Sequence, residues 1–356
     1  MVEMHALFDR MLESDASDLH LTEGQPPKLR VDGVMVSLDG HEPLGEEQTR
    51  ALLQGICEPR LWQSFEENGD LDFAYAYEDK ARFRSNYNKQ YAGYGAVFRI
   101  IPSHIKTLDE LGAPAVLRTF GDYRSGLCLI TGPTGSGKST TLAAIIDHIN
   151  TTSARHVLTV EEPIEFVHPV KKCTIVQREA GTHVPGFAAA LRSSSRQDLD
   201  VILVGELRDL ETISLSVSAA ETGTLVFGTL HTNNAVKTVD RMIDVFHADQ
   251  QNAIRQSLAV ALRAVCAQLL LKRAGGKGRI AAHEVLIQTT AVMNTIREAK
   301  NTMLTQIMMS NRALGMQLMD DCIDGYLQKG LISGVEAYMK AIDKERFQQH
   351  APRGAE

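Results

Sequence analysis

The chain has 356 residues, 44% of them apolar and 23% charged, and a formal net charge of −7. That length accommodates two domains with separate cores, and the composition is that of a soluble globular protein. The acidic balance argues against nucleic acid as the main partner, because phosphate binding draws on a surplus of Lys and Arg. The longest apolar runs fall short of the roughly 18 residues that a membrane span requires. The first residues, Met1-Val2-Glu3-Met4-His5, lack the basic and apolar regions of a signal peptide, so the expected location is cytoplasmic. The five cysteines, at 57, 128, 173, 266 and 322, form no C-x-x-C pair. No zinc site of the usual spacing is therefore expected, and several of them read as small core residues.

In chain order, Met4, Leu7, Phe8, Met11 and Leu12 share one helical face. Leu29, Val31, Val34 and Val36 flank Asp32-Gly33, a hairpin signature. Residues 44–65 read as helix, 71–77 as a half-buried strand, and strands follow around 82–87 and 95–101. A helix followed by hairpins makes an α+β unit, assigned to residues 1–102. Residues 103–113 read as a linker and 114–356 as a second domain. There, apolar strands at 127–130, 157–160, 174–176, 201–204, 225–228 and 280–286 alternate with helices, which predicts a mostly parallel sheet covered on both faces. Residues 291–342 read as mainly helical, and the polar tail from Phe347 as frayed.

The most informative stretch is Gly132-Pro133-Thr134-Gly135-Ser136-Gly137-Lys138-Ser139-Thr140, which fills every fixed position of the P-loop pattern. An apolar run precedes it, and Leu142, Ile145, Ile146 and Ile149 follow at helical spacing. Strand, glycine loop and helix let backbone N–H groups and a helix N-terminus converge on phosphate oxygens. Lys138 would reach the β- and γ-phosphates, and Ser139 would ligate magnesium. The expected ligands are ATP and Mg2+.

Hydrolysis also needs a carboxylate near the metal, a group to orient water, and positive charge. Val201-Ile202-Leu203-Val204-Gly205-Glu206 is an apolar strand ending in an acid. Glu206 would hold magnesium, through water, or polarise the attacking water. Glu161, Glu162 and Glu165 crowd three carboxylates into five residues, either as a solvated turn or beside a cation. Arg82, Arg84 and Arg99 either face outward as ordinary strand residues or reach the nucleotide. His231, after the run 225–230, either is structural or senses the γ-phosphate.

Together these segments resemble the secretion ATPase superfamily, most closely the PilT family of type IV pilus retraction motors. The resemblance runs from Ala16-Ser17-Asp18-Leu19-His20-Leu21 to about Ser333. Its most specific pieces are 132–140 (Walker A), 159–168 (the aspartate box), 201–209 (Walker B) and 224–232 (the histidine box). It implies a RecA-like P-loop ATPase core with a smaller, PAS-like α+β N-terminal domain, assembled as a homohexamer with ATP between the two domains. It further implies Glu165 as general base, Glu206 as the Walker B acid, and Arg82, Arg84 and Arg99 approaching the phosphates. The partners implied are a platform protein at the inner-membrane base of the pilus and, indirectly, pilin. An accessory retraction ATPase is the alternative; an extension or type II secretion ATPase fits less well without a tetracysteine site. Four features depart from the family pattern, three single residues and one segment. Glu162 stands where Asp is usual, Thr224 for the first His of the histidine box, and Leu199 for a Pro. The retraction signature A-I-R-N-L-I-R-E reads Ala291-Val292-Met293-Asn294-Thr295-Ile296-Arg297-Glu298.

Overall fold

The computed structural model describes residues 3–31, 33–101, 104–276 and 278–352. Asp32 of the expected hairpin, Pro102 at the end of the expected first domain and Ser103 at the start of the expected linker lie outside them. The chain divides into two compact units, Met1–His104 with Glu162–Val167, and Ile105–Glu161 with His168–Glu356. The first unit thus recruits a short segment from the middle of the second.

The first unit contains α1 (Met4–Glu13), β1 (Asp18–Thr22), β2 (Lys28–Val31), β3 (Val34–Ser37), α2 (Glu46–Gln54), α3 (Pro59–Asn68), β4 (Asp70–Tyr77), β5 (Ala81–Gln90) and β6 (Gly93–Ile101). The single helix expected over 44–65 is two helices, a correction with a local cause. Pro59 has no amide hydrogen and starts α3 at a position where none is needed. The six strands form an antiparallel sheet in the order β3-β2-β1-β6-β5-β4. Alternation sends Leu19, Leu29, Phe73, Phe83, Tyr87 and Phe98 to one face, where they pack with Phe8, Leu53, Trp62 and Phe65 of the helices. Phe8 and Phe83 stack at 4.2 Å between ring centroids. The other face carries the polar residues used below.

The second unit contains α4 (Leu117–Asp122), β7 (Gly126–Thr131), α5 (Lys138–Thr152), β8 (His156–Glu161), β9 (Thr174–Glu179), α6 (Phe187–Ser194), β10 (Val201–Val204), α7 (Leu210–Glu221), β11 (Leu225–Leu230), α8 (Ala235–Asp244), α9 (Gln251–Ala261), β12 (Leu262–Lys272), β13 (Arg279–Ile287), α10 (Thr290–Arg297), α11 (Leu304–Ser310), α12 (Met319–Gln328) and α13 (Gly334–Lys340). Seven strands run in the order β13-β12-β7-β11-β10-β8-β9. All neighbours are parallel except β12 and β13. Apolar side chains pack on both faces, around Ile213, Val239 and Leu258 on one and Ile145, Ile149 and Phe120 on the other. That is why the central strands read as continuous apolar runs. β12 was not expected from the sequence. The tail is likewise corrected: residues Glu345–His350 form a 3-10 helix, and Phe347 is buried against α12 and α13 residues such as Ile323 and Ala337.

Burial leaves a pH signature in this unit. His283 on β13 is 1% exposed, and its Nδ1 has no hydrogen-bond partner among the described residues. Desolvation holds its pKa down at about 4, and His168 is held at about 4 chiefly for the same reason. The unfolded chain takes up these protons near 6.5, the folded chain only near 4. Their contribution to stability is therefore complete above pH 6.5 and lost as pH falls toward 4, at up to about 1.4 kcal/mol per pH unit for each group. Burial raises the Glu284 carboxyl, which acts with the opposite sign. In denaturant titrations, His283→Leu is expected to flatten the acid side of the stability profile; an unchanged slope would contradict this origin.

Candidate nucleotide-binding site

Strands β7, β11, β10 and β8 are parallel, so the segments after them emerge at one edge of the sheet. Ligands in open α/β sheets bind at that edge. The glycine loop 132–137 joins β7 to α5 there. Two of its glycines are sterically required. Gly132 has φ 144°, and a Cβ on it would lie 2.3 Å from the Gln268 carbonyl oxygen; Gly137 has φ 87°, and a Cβ would lie 2.9 Å from Gln268 Nε2. Gly135, at the exposed tip with Pro133 and Thr134, faces open space.

The helix α5 opens at Lys138 with Gly137 as its cap, so its first N–H groups lack intrahelical acceptors. Lys138 Nζ lies back over the loop and donates to Gly132 O at 2.7 Å and Pro133 O at 3.2 Å. Ser139 is exposed in the first turn and Thr140 half-buried. Ser136, 3% exposed, has an Oγ without a hydrogen-bond partner among the described residues. A buried hydroxyl in a loop of convergent N–H donors suits a phosphate oxygen, so these residues fit a nucleotide phosphate chain.

Glu206 lies two residues beyond β10. The backbone beside it is tied to both neighbouring strands: Gly205 N–H donates to Val160 O at 2.8 Å, and Leu207 N–H donates to Thr229 O at 2.9 Å. Its carboxylate is bracketed by Arg208 Nη2 at 2.8 Å and His231 Nε2 at 3.2 Å. His231 therefore meets Glu206. From the next residue, Thr232 Oγ1 contacts Thr238 Oγ1 at 2.7 Å, and Thr131 Oγ1 lies 3.4 Å from Thr238 Oγ1. This hydroxyl chain links the ends of β7 and β11. Among the described residues no group of three or more His, Cys, Asp or Glu side chains converges as a metal cage. A magnesium ion held by one or two protein oxygens depends on phosphate oxygens for its other ligands.

In the first unit the three arginines occupy the polar face of the sheet. The cross-strand register sets Arg30 against Asp18, Asp18 against Arg99, and Arg99 against Arg84. Two like charges directly opposite are destabilising unless carboxylates intervene. Asp18, 3% exposed, accepts from Arg99 Nε at 2.8 Å. Arg84 Nη1 lies 3.5 Å from Glu165 Oε1, and its Nε lies 4.0 Å from Asp72. Arg82 Nε donates to Ile164 O at 3.4 Å. Segment 162–167 thus engages Arg82 and Arg84, while Arg99 pairs with Asp18. Of the crowded acids, Glu165 has its cation in Arg84, and Glu161 accepts from the Thr159 hydroxyl at 2.7 Å.

Three residues of these arrangements were not singled out from the sequence: Asp18, Arg208 and Gln268. Gln268 carried one signal, a lone amide inside the apolar run Ala267-Gln268-Leu269, where an unpaired polar group is costly.

A RecA-like sheet with a glycine loop after an interior parallel strand, in a chain that also carries a PAS-like α+β unit, defines a P-loop ATPase fold. The chain belongs to the Type II/IV secretion system protein family, whose model matches residues 3–333. It is 49% identical over 93% of its length, and 96% of the relative's, to the "Type IV pilus retractation ATPase PilT" of Pseudomonas aeruginosa. Identity to the "Type IV pilus ATPase PilU" of the same organism is 36%, over 96% of this chain and 89% of that one. The structure titled "Crystal Structure of the Pilus Retraction Motor PilT and Bound ADP" superposes with a TM-score of 0.90 at 39% identity, covering 98% of this chain and all of that one. Among the described residues no helix is long and apolar enough to cross a membrane.

Proposed function

We propose that this chain hydrolyses ATP as a subunit of a homohexameric ring that powers type IV pilus retraction. The observation that carries the proposal is a glycine loop that fills the whole P-loop pattern after β7, with Glu206 following the parallel strand β10 at the same edge of the sheet and paired with Arg208 and His231. It occurs in a chain nearly half identical, end to end, to a retraction ATPase. In this reading residues 1–102 are the N-terminal domain, 103–113 the linker and 114–356 the motor core. The loop residues 132–140 bind the phosphates, and Lys138 moves from its carbonyl partners to the β- and γ-oxygens. Ser139 and Glu206 would hold magnesium, which would supply charge neutralisation at the phosphates. Glu165 takes the proton of the attacking water, Arg82, Arg84 and Arg99 offset developing charge, and His231 reports the γ-phosphate to Glu206. The ring works in the cytoplasm at the inner-membrane base of the pilus, acting on a platform protein and so on pilin.

A second reading, an accessory retraction ATPase, is favoured by the altered signature on α10. Thr295 is 8% exposed and Met293 packs partly buried against the core. Two positions at which the family pattern has Leu and Arg are therefore changed in packing, not only in surface charge. Identity to the PilT relative exceeds that to the PilU relative, which favours the principal motor. Deleting the gene is expected to give many static surface pili and no twitching, scored by electron microscopy and colony spreading. Bald cells would point to extension, and retained twitching to the accessory role.

A further inference from the structure

Gln268 follows Ala267, which pairs with Thr131 at the end of β7, so it stands level with Gly132 at the start of the loop. It is 2% exposed. Its Nε2 donates to the Ser136 carbonyl at 2.7 Å, and its Oε1 accepts from the Thr141 hydroxyl at 2.7 Å. Only one orientation of the amide works. A backbone carbonyl can only accept, so the nitrogen must face Ser136, and the oxygen then takes the hydroxyl of Thr141. The same residue crowds the loop from two sides, its carbonyl oxygen against Gly132 and its amide nitrogen against Gly137.

The consequence lies in the Ser136–Gly137 peptide. In a trans peptide the C=O and N–H point in opposite directions. Drawing the Ser136 carbonyl toward β12 therefore turns the Gly137 N–H away from β12, the orientation that an anion seated in the loop requires. The Thr141 hydroxyl, one turn into α5, ties the helix start to the same amide. We infer that Gln268 is a positioning residue for the phosphate chain of a nucleoside di- or triphosphate. It binds no phosphate itself but fixes the peptide and the helix turn that do. The inference rests on the nucleotide reading of the loop.

The test compares ADP affinity, with Mg2+, of the full-length wild type and Gln268→Glu by titration calorimetry at about pH 8 and pH 6. The substituted carboxylate is the same shape but cannot donate to the Ser136 carbonyl. Leaving that buried pair mismatched is expected to weaken ADP binding by about 10- to 100-fold at pH 8. Protonation restores an O–H donor beside a carbonyl acceptor, and burial favours the protonated form. The deficit relative to wild type should therefore shrink at pH 6, a recovery that general loss of structure would not produce. Equal affinity at pH 8, or a deficit independent of pH, would overturn the assignment. Should Gln268→Glu not fold, Thr141→Val leaves the donor in place and frees Oε1. A loss of about threefold or more supports the assignment, and no loss overturns it. Wild type that binds no ADP at all would overturn the nucleotide reading itself and this inference with it.

Discussion

Lys138→Ala is expected to abolish phosphate release from ATP, lowering turnover by at least about a hundredfold. A charged donor brought to oxygens that gain charge in the transition state is worth that much or more. The geometry makes the loss specific to chemistry. Lys138 contacts the Gly132 and Pro133 carbonyls from the half-buried start of α5. Pro133 is exposed and its carbonyl can take water in place of the ammonium, whereas Gly132 is buried. The variant is therefore expected to lose only the few degrees that one unreplaced hydrogen bond is worth. The measurement is steady-state phosphate release by purified wild type and variant, with thermal unfolding as the control. Turnover at the wild-type rate would remove the central claim that this loop works on ATP.

The loop was legible in the sequence because everything that defines it is local. The glycines, the lysine and the following helix lie within twenty residues, and each residue type answers a nearby backbone requirement. Glu206 was legible for the same reason, as the first acid after an apolar strand. What surrounds them was not. Strand β12 follows α9 without a break, Leu262 directly after Ala261, so no glycine or proline marks the change. Its Leu, Ala, Val and Cys residues suit a buried helix as well as a buried strand. Missing β12 meant missing Gln268, whose partners Ser136 and Thr141 lie more than a hundred residues earlier in the chain. The break at 55–58 was a different kind of miss. Gly55 and Pro59 were visible, and the apolar spacing on both sides carried the helix reading through them. Arg84 and Glu165 lie on segments 81 residues apart, and sequence offered only the electrostatic need of the acids for a cation. The register that sets Arg99 against Asp18 similarly exists only once β1 and β6 have paired.

The pairing of Arg84 with Glu165 sharpens the second large effect. Glu165→Gln and Glu206→Gln are each expected to retain nucleotide binding and to lose about 10²- to 10⁴-fold in hydrolysis, the range typical of a lost general base or charged water-orienting group. Both substitutions keep side-chain shape, and the amide oxygen can still accept from Arg84 at one site and from Arg208 or His231 at the other. The competing account is that Glu165 merely neutralises an arginine that faces Arg99 across the sheet. At 3.5 Å, with the Arg84 side chain 43% exposed and that of Glu165 29% exposed, such an ion pair is worth only about 0–1 kcal/mol. On that account Glu165→Gln would shift the melting temperature slightly and leave turnover alone, and Arg84→Ala would do the same. On the catalytic account the two variants separate. Glu165→Gln loses the chemical step with ADP affinity unchanged, whereas Arg84→Ala loses transition-state charge and, mixed into wild-type rings, suppresses activity beyond its own fraction. Calorimetry for ADP, single-turnover hydrolysis and subunit mixing distinguish them. Normal single-turnover rates in Glu165→Gln would leave Glu165 as the partner of Arg84 and return the search for the base to Glu161 and Glu162.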